Sequence, residues 1–256
     1  MMSEFENAQD GRKKRSIVLL LLIAALIVVL SVGGTLAYLT TKTNTKSNMF
    51  ISTSTITAQL TETAWDGGGS TTAQNMLPSV SAAKNPVIQN TNATGGEGEY
   101  VAARLTFQKA TAVAKDGTVT WADMSQDEVN NLMVGVAIYG DGDLPTTGGI
   151  SVDSGWVKEN GTAPLAPKTV YYYNSKLDAQ SSTSALFSKV GLLAADGNGA
   201  WSTGDTVSAS NFLTWLNSTC EAGKFQIVVD GCAVQSTGIA NAAAATPQFD
   251  SLLPVA

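Results

Sequence analysis

The side chains that could do chemistry in this chain are few, and most of them are acidic. There is no histidine. That removes the commonest general base, the Ser-His and Cys-His nucleophilic pairs, and every zinc motif built on imidazole. Carboxylate chemistry remains, with Glu62, Glu97, Glu99 and Asp123 as candidates, but nothing in their spacing singles out an acid and base pair. Asp141-Gly142-Asp143 and Asp196-Gly197-Asn198-Gly199 put oxygen ligands on loops. Neither is followed by the glutamate that closes an EF-hand, and turn chemistry accounts for both without metal. The expectation is a protein that is not an enzyme and needs no cofactor or metal.

Two further groups need an account. Tyr171-Tyr172-Tyr173 with Trp156 nearby could form a sugar-binding platform, or a strand whose aromatics are alternately buried and exposed. Cys220 and Cys232 are the only cysteines and hence the only disulfide on offer. Cys220 closes an expected helix and Cys232 lies about eight residues along the following strand, ~26 Å from its start. A disulfide needs Cα atoms within ~7 Å, so two small buried thiols are expected, with a Cys220–Cys232 bridge as the alternative.

The element that decides where any of this operates comes first in the chain. Arg12-Lys13-Lys14-Arg15 precede Ile17–Leu30, 14 residues without a polar side chain, and Ser31 to Ala37 form a small-residue exit. That is the tripartite pattern of a secretory signal peptide, with Thr35-Leu36-Ala37 as the cleavage signal and Tyr38 as the new N-terminus. Extended through Leu39, the apolar stretch reaches 23 residues. As a helix it would span ~34 Å, enough for an uncleaved membrane anchor with the basic cluster inside. The expected partition is a signal peptide over 1–37, a flexible arm over 38–48 and a single domain over 49–256, exported to the cell surface or beyond. Its partners are a signal peptidase and other copies of itself, and it meets membrane only through the uncleaved segment.

Charge agrees with export. Residues 1–37 hold four of the 15 basic and three of the 21 acidic side chains, so the remainder carries 11 against 18, a net of −7. Such a surface does not attract nucleic acid.

After the Thr-, Asn- and Lys-rich arm, the pattern is one of short strands. Strands are expected over Met49–Leu60, from Pro86 to Thr91, Tyr100–Gln108, Thr118–Trp121, Val134–Tyr139, Trp156–Lys158, Thr169–Tyr173 and Lys224–Gln235. In Tyr100–Gln108, Val101, Ala103, Leu105 and Phe107 share one face. Glycines at 67–69 and the Leu77-Pro78 step are expected to form loops, and Gly231 a bulge. Ser125-Gln126-Asp127-Glu128 is a capping box for a helix reaching Met133. A second helix, capped by Ser208 or Ser210, should bury Phe212, Leu213, Leu216 and Cys220 and stop at Gly223. Ile239–Ala245 is weakly helical until Pro247. Together these specify a mainly β chain, an antiparallel two-sheet sandwich with a few short helices.

Several landmarks, in this order, resemble the TasA/camelysin group of exported Gram-positive proteins. They are Gly33-Gly34-Thr35-Leu36-Ala37-Tyr38-Leu39-Thr40 with Asn48-Met49-Phe50 behind it, and Lys84-Asn85-Pro86-Val87-Ile88-Gln89-Asn90-Thr91 leading into Tyr100-Val101. Val170-Tyr171-Tyr172-Tyr173-Asn174-Ser175-Lys176-Leu177, Leu186-Phe187-Ser188-Lys189-Val190, and Phe225-Gln226-Ile227-Val228-Val229 with Ala233-Val234-Gln235 follow. The resemblance implies a jelly-roll subunit of biofilm-matrix fibres, released by a dedicated signal peptidase. It also implies assembly by strand donation, with Tyr38, Leu39, Phe50 and Ile51 in the donated segment. Some relatives are called metalloproteases; without histidine that activity would need an all-carboxylate site.

Overall fold

The computed structural model describes residues 40–42, 49–51, 56–74, 76–193 and 212–255. Its strands in chain order begin with β1 (Thr40–Lys42), β2 (Met49–Ile51), β3 (Thr57–Thr61), β4 (Val80–Ala83), β5 (Val87–Asn90) and β6 (Glu99–Val113). They continue with β7 (Val119–Asp123), β8 (Val136–Tyr139), β9 (Gly149–Ile150), β10 (Trp156–Lys158), β11 (Lys168–Tyr173), β12 (Lys189–Leu192) and β13 (Phe225–Gln235). The α-helices are α1 (Ser70–Ala73), α2 (Gln126–Gly135), α3 (Phe212–Thr219) and α4 (Thr246–Leu252).

β6 and β13 form the spine. They pair antiparallel in an unbroken register from Phe225 opposite Lys109 to Gln235 opposite Glu99. β11 and β7 share the other edge of β6 in succession, β10 lies outside β11, and β1 lies outside β13. The opposing layer consists of two smaller sheets, ordered β4-β12-β8-β9 and β2-β3-β5. Val101, Ala103, Leu105 and Phe107 of β6 project inward, together with Ile227, Val229 and Ala233 of β13. They meet Ala58 and Leu60 of β3, Ile88 of β5, β8, and Val190 and Leu192 of β12 in one core. The outer face of the spine has its own apolar cluster. Tyr100, Ala102, Val170, Cys232 and Val234 are covered there by Ala242, Ala245, Phe249 and Leu253 of the C-terminal segment.

The chain is therefore mainly β with few short helices, as expected, but several details differ. β8 and β9 run parallel, so the sheets are mixed rather than wholly antiparallel, and the described strands form three sheets rather than the two expected. The strand expected over Met49–Leu60 is two strands, β2 and β3, paired antiparallel. Ser52-Thr53-Ser54-Thr55 between them offers no apolar side chain to a core. The expected loop at the three glycines is a helical turn, Trp65–Gly69, running into α1. A Cβ on Gly69 would lie 1.8 Å from the carbonyl oxygen of Ala83, so only glycine allows that close approach to β4. β4 itself went unforeseen because Val80 is its only large apolar residue. No bulge forms at Gly231, which sits opposite Ala103; the irregularity lies between Ala110 and Ala112 of β6. Leu213 is exposed rather than buried. Pro247 starts α4 instead of ending a helix, because the missing N–H costs nothing in a first turn. The expected caps Ser208 and Ser210 lie outside the described residues.

The Ser125 box is as expected: the hydroxyl accepts from the Glu128 N–H, and the Glu128 carboxylate accepts from the Ser125 N–H. Two losses should therefore differ in scale on urea unfolding. Phe107→Ala, which empties a fully buried site between the layers, should cost about 3–5 kcal/mol. Ser125→Ala, which frees one exposed helix terminus, should cost about 1 kcal/mol.

Candidate functional site

The feature that stands apart from ordinary packing is the outer edge of β13. Its last six residues, Asp230 to Gln235, are buried. Ile227, Val229 and Ala233 belong to the core between the layers, and Cys232 and Val234 to the outer cluster. A strand covered on both faces has only its edges left to satisfy. β6 satisfies one. On the other edge stands β1, a piece of the expected arm, with Thr40 opposite Val234, Thr41 opposite Ala233 and Lys42 opposite Cys232.

The far end of the expected donated segment, just past the arm, reaches a second edge. β2 pairs with the outer side of β3, placing Phe50 opposite Ala58 and Ile51 opposite Thr57. The inner side of β3 is taken by β5. Beyond β5 the chain from Gln180 to Thr183 supplies backbone hydrogen bonds to Ile88 and Asn90. β1 and β2 are thus outermost strands of different sheets. Of the residues expected in the donated segment, Phe50 and Ile51 lie in β2; Tyr38 and Leu39, with the cleavage position at Ala37, lie outside the described residues. Among the described residues no helix is long and apolar enough to cross a membrane.

A buried polar knot fixes the two sheets relative to each other beside Thr57. Asn92 Oδ1 accepts from the Thr57 N–H and hydroxyl, each at 3.0 Å. Asn92 Nδ2 donates to the Glu97 carbonyl at 3.0 Å and to Glu99 Oε1 at 3.1 Å. Asn90 Nδ2 donates to the carbonyls of Glu97 and Leu177. Glu99 is fully buried at the end of β6, and its Oε2 has no hydrogen-bond partner among the described residues. Burial pushes its carboxyl up to about 8, against the lowering pull of hydrogen bonds from Thr57 and Asn92. Glu99 is therefore protonated at neutral pH.

The other candidates are dispersed and occupied. Glu62 pairs with Lys84 at 2.8 Å in a buried site, and the Lys84 ammonium stands 4.6 Å from the centre of the Trp65 ring. Asp123 is held by Gln108 at 2.8 Å and Lys168 at 3.0 Å. Glu97 accepts from the Thr237 hydroxyl at 2.9 Å. At Asp141-Gly142-Asp143 the Gly142 carbonyl already accepts from the Lys189 ammonium at 2.7 Å. Among the described residues there is no group of three or more carboxylates or thiols placed to hold a metal ion; Asp196 to Gly199 lie outside them. The aromatic platform does not form. Trp156 is buried, its indole N–H donates to the Ser184 carbonyl, and Tyr173 packs edge-on against it at 5.4 Å. The alternative of a Cys220–Cys232 bridge is likewise corrected. The two are not bridged: Cys220 lies in the core between the layers and Cys232 on the opposite face of the spine.

The knot was not singled out from the sequence, though a signal existed. Glu99 has the same strand parity as Val101, Ala103, Leu105 and Phe107, so the alternation that found the core face also pointed a carboxyl into it. Its titration sets a pH dependence with a definite sign. A carboxyl raised in the folded state stabilises the fold fully below its ordinary value near 4.5, and that contribution is lost as pH rises through about 8. Glu99→Gln should flatten the fall in melting temperature between pH 5 and 8.5. It should also leave the variant the more stable by on the order of 2 kcal/mol at pH 8.5; equal pH profiles would refute the assignment. Protein-family profiles, curated proteins and solved structures give no match to this chain.

Proposed function

We propose that this chain is an exported structural protein of the cell surface or biofilm matrix that assembles into fibres by N-terminal strand donation. The observation that carries the reading is the placement of the expected donated segment: β1 and β2 are both outermost strands, joined to the edges of β13 and β3. An edge strand recognises backbone groups, so the same positions can be filled by the chain's own arm or by a neighbour's. Donation from one copy to the next is head-to-tail and does not close, which gives a filament rather than a ring. On this reading the sandwich is a jelly roll, signal peptidase cuts between Ala37 and Tyr38, and release of the arm couples export to assembly. The ordered resemblance to the TasA/camelysin group supports it. The absence of histidine and the occupied, scattered carboxylates favour a structural role over an enzymatic one.

Two measurements test it. The exported protein should have the mass of a chain beginning at Tyr38; a mass beginning at Met1 would indicate an anchored protein instead. Processed protein should form filaments visible by negative-stain electron microscopy, and deletion of residues 38–48 should abolish them while leaving the circular dichroism spectrum unchanged. Filaments that persist without the arm would end the donation reading.

A further inference from the structure

The two edge strands that precede β3 are tied to the molecule in different ways. Ile51 of β2 is opposite Thr57 of β3, and Ile56, immediately before β3, is fully buried in the core between the layers. Only Ser52-Thr53-Ser54-Thr55 join Ile51 to that fixed point, a reach of at most ~18 Å. β2 and β3 are thus a hairpin with a short connection, and closing it costs little chain entropy. For β2 to sit on the β3 of a second copy, the two β3 edges would have to adjoin within the length of that connection. β1 has no such link to its partner. Its register places Thr40 opposite Val234 and Lys42 opposite Cys232, near the other end of the chain. On the domain side it is joined to β2 through Thr43-Asn44-Thr45-Lys46-Ser47-Asn48, which bring no apolar side chain to a core. From Lys42 to Met49 the chain reaches ~25 Å at most, and within one copy β1 and β2 lie beside each other.

We propose that β1 alone changes partner, passing from its own β13 to the β13 of a second copy, while the β2–β3 hairpin stays within its chain as the anchor of the arm. The proposal rests on the donation reading and divides the expected donated segment: Phe50 and Ile51 belong to the anchor. The receiving site is the outer edge of β13 at Cys232, Ala233 and Val234. All three are buried, Ala233 in the core and the other two in the outer cluster. With both faces covered, the incoming strand is recognised by its backbone. Thr40–Lys42 of a second copy offers the same groups, in the same register, as the chain's own. The ~25 Å limit on the link then fixes how copies meet. Because β2 remains on its own β3, the receiving edge must come within that distance of Met49. Successive copies therefore abut instead of hanging on a long tether. Each copy gives one strand and takes one, and the contact is head-to-tail.

Two cross-links separate the strands. Directly opposite residues of an antiparallel pair have Cα atoms about 4.5–5.5 Å apart, within the range a disulfide needs. In a Cys220→Ala background, Lys42→Cys stands opposite the native Cys232 and gives the first cross-link. With Cys220→Ala and Cys232→Ala, Met49→Cys and Gln59→Cys stand opposite each other in the hairpin and give the second. Processed protein beginning at Tyr38 is oxidised while light scattering shows monomer. The first cross-link should then abolish filaments in negative stain, and reductant should restore them; the second should leave filament formation unchanged. When filaments are assembled first and oxidised afterwards, the first pair should give a ladder of multimers on a denaturing gel without reductant. The second should give monomer bands only. A ladder from the second pair would overturn the proposal and leave donation standing, since β2 would travel too. Filaments from monomers already closed by the first cross-link, with no ladder from either pair, would remove donation and this proposal together. Parent protein that never forms filaments would remove donation, and the transfer of β1 with it. Should an oxidised monomer lose the circular dichroism spectrum of the parent, oxidation after assembly makes the same decision. Amide exchange in the monomer tests the anchor without any filament: Thr40–Lys42 should exchange faster than Met49–Ile51, and equal rates would overturn the proposal.

Discussion

The antiparallel pairing of β13 with β6 is the constraint on which the rest of the molecule depends. Because the register holds over 11 positions, side chains alternate strictly between the core and the outer cluster. Slipping by one residue would exchange Ile227, Val229 and Ala233 for Val228, Asp230 and Val234 at the core face. Both faces of the second half of β13 are buried, so water cannot reach its backbone from above or below. Its outer edge must be satisfied in the plane of the sheet, and a strand is the only element that does so without a side-chain cost. An N-terminal arm with no core of its own is suited to that position.

How much of this could be read beforehand followed the strength of the local physics. The core face of β6, the Ser125 box, β11 and β13 were legible because each is set by side chains within a few residues of one another: alternation, a cap, a run of β-branched and aromatic residues. β4, β9 and the division into β2 and β3 were not. Val80-Ser81-Ala82-Ala83 carries almost no pattern and becomes a strand because β12 pairs along it. Two-residue β9 exists only as a parallel partner of β8. The C-terminal cover was misread for the same reason. Ala242 to Ala245 and Phe249 gain their meaning from Tyr100, Val170 and Val234, which lie far away in sequence. For the candidate site, the arm could be named from its composition and from the resemblance, but the two edges it joins are tertiary facts.

The titrating groups follow a single rule. Carboxyls that meet donors stay low: Asp153 accepts from the Ser184 hydroxyl and the Gly155 N–H, and Asp123 from Gln108 and Lys168. Glu99, buried without enough donors, is raised, and so is the half-buried Glu159, by partial burial and the neighbouring Asp250. The formal charge of −6 counts every acid as ionised. Near pH 6, with those two protonated, the effective value is closer to −4. Glu99 sits at the start of β6 beside Thr57 of β3, and Glu159 just past β10.

On the donation reading, a neighbour's arm would compete with the chain's own. A neighbour's arm and the chain's own arm present identical backbone groups, so the edge itself does not choose between them. The own arm has the advantage of tethering, which for a short connection corresponds to an effective concentration on the order of millimolar. In solution a neighbour rarely matches that. Yet β1 pairs with only three of the 11 positions of β13, and so short a strand has little intrinsic hold. Its retention then depends on what lies over it, namely α4 with Phe249 and Leu253 against the outer cluster. On the donation reading, the barrier to exchange is set by the cover and not by the strand it covers.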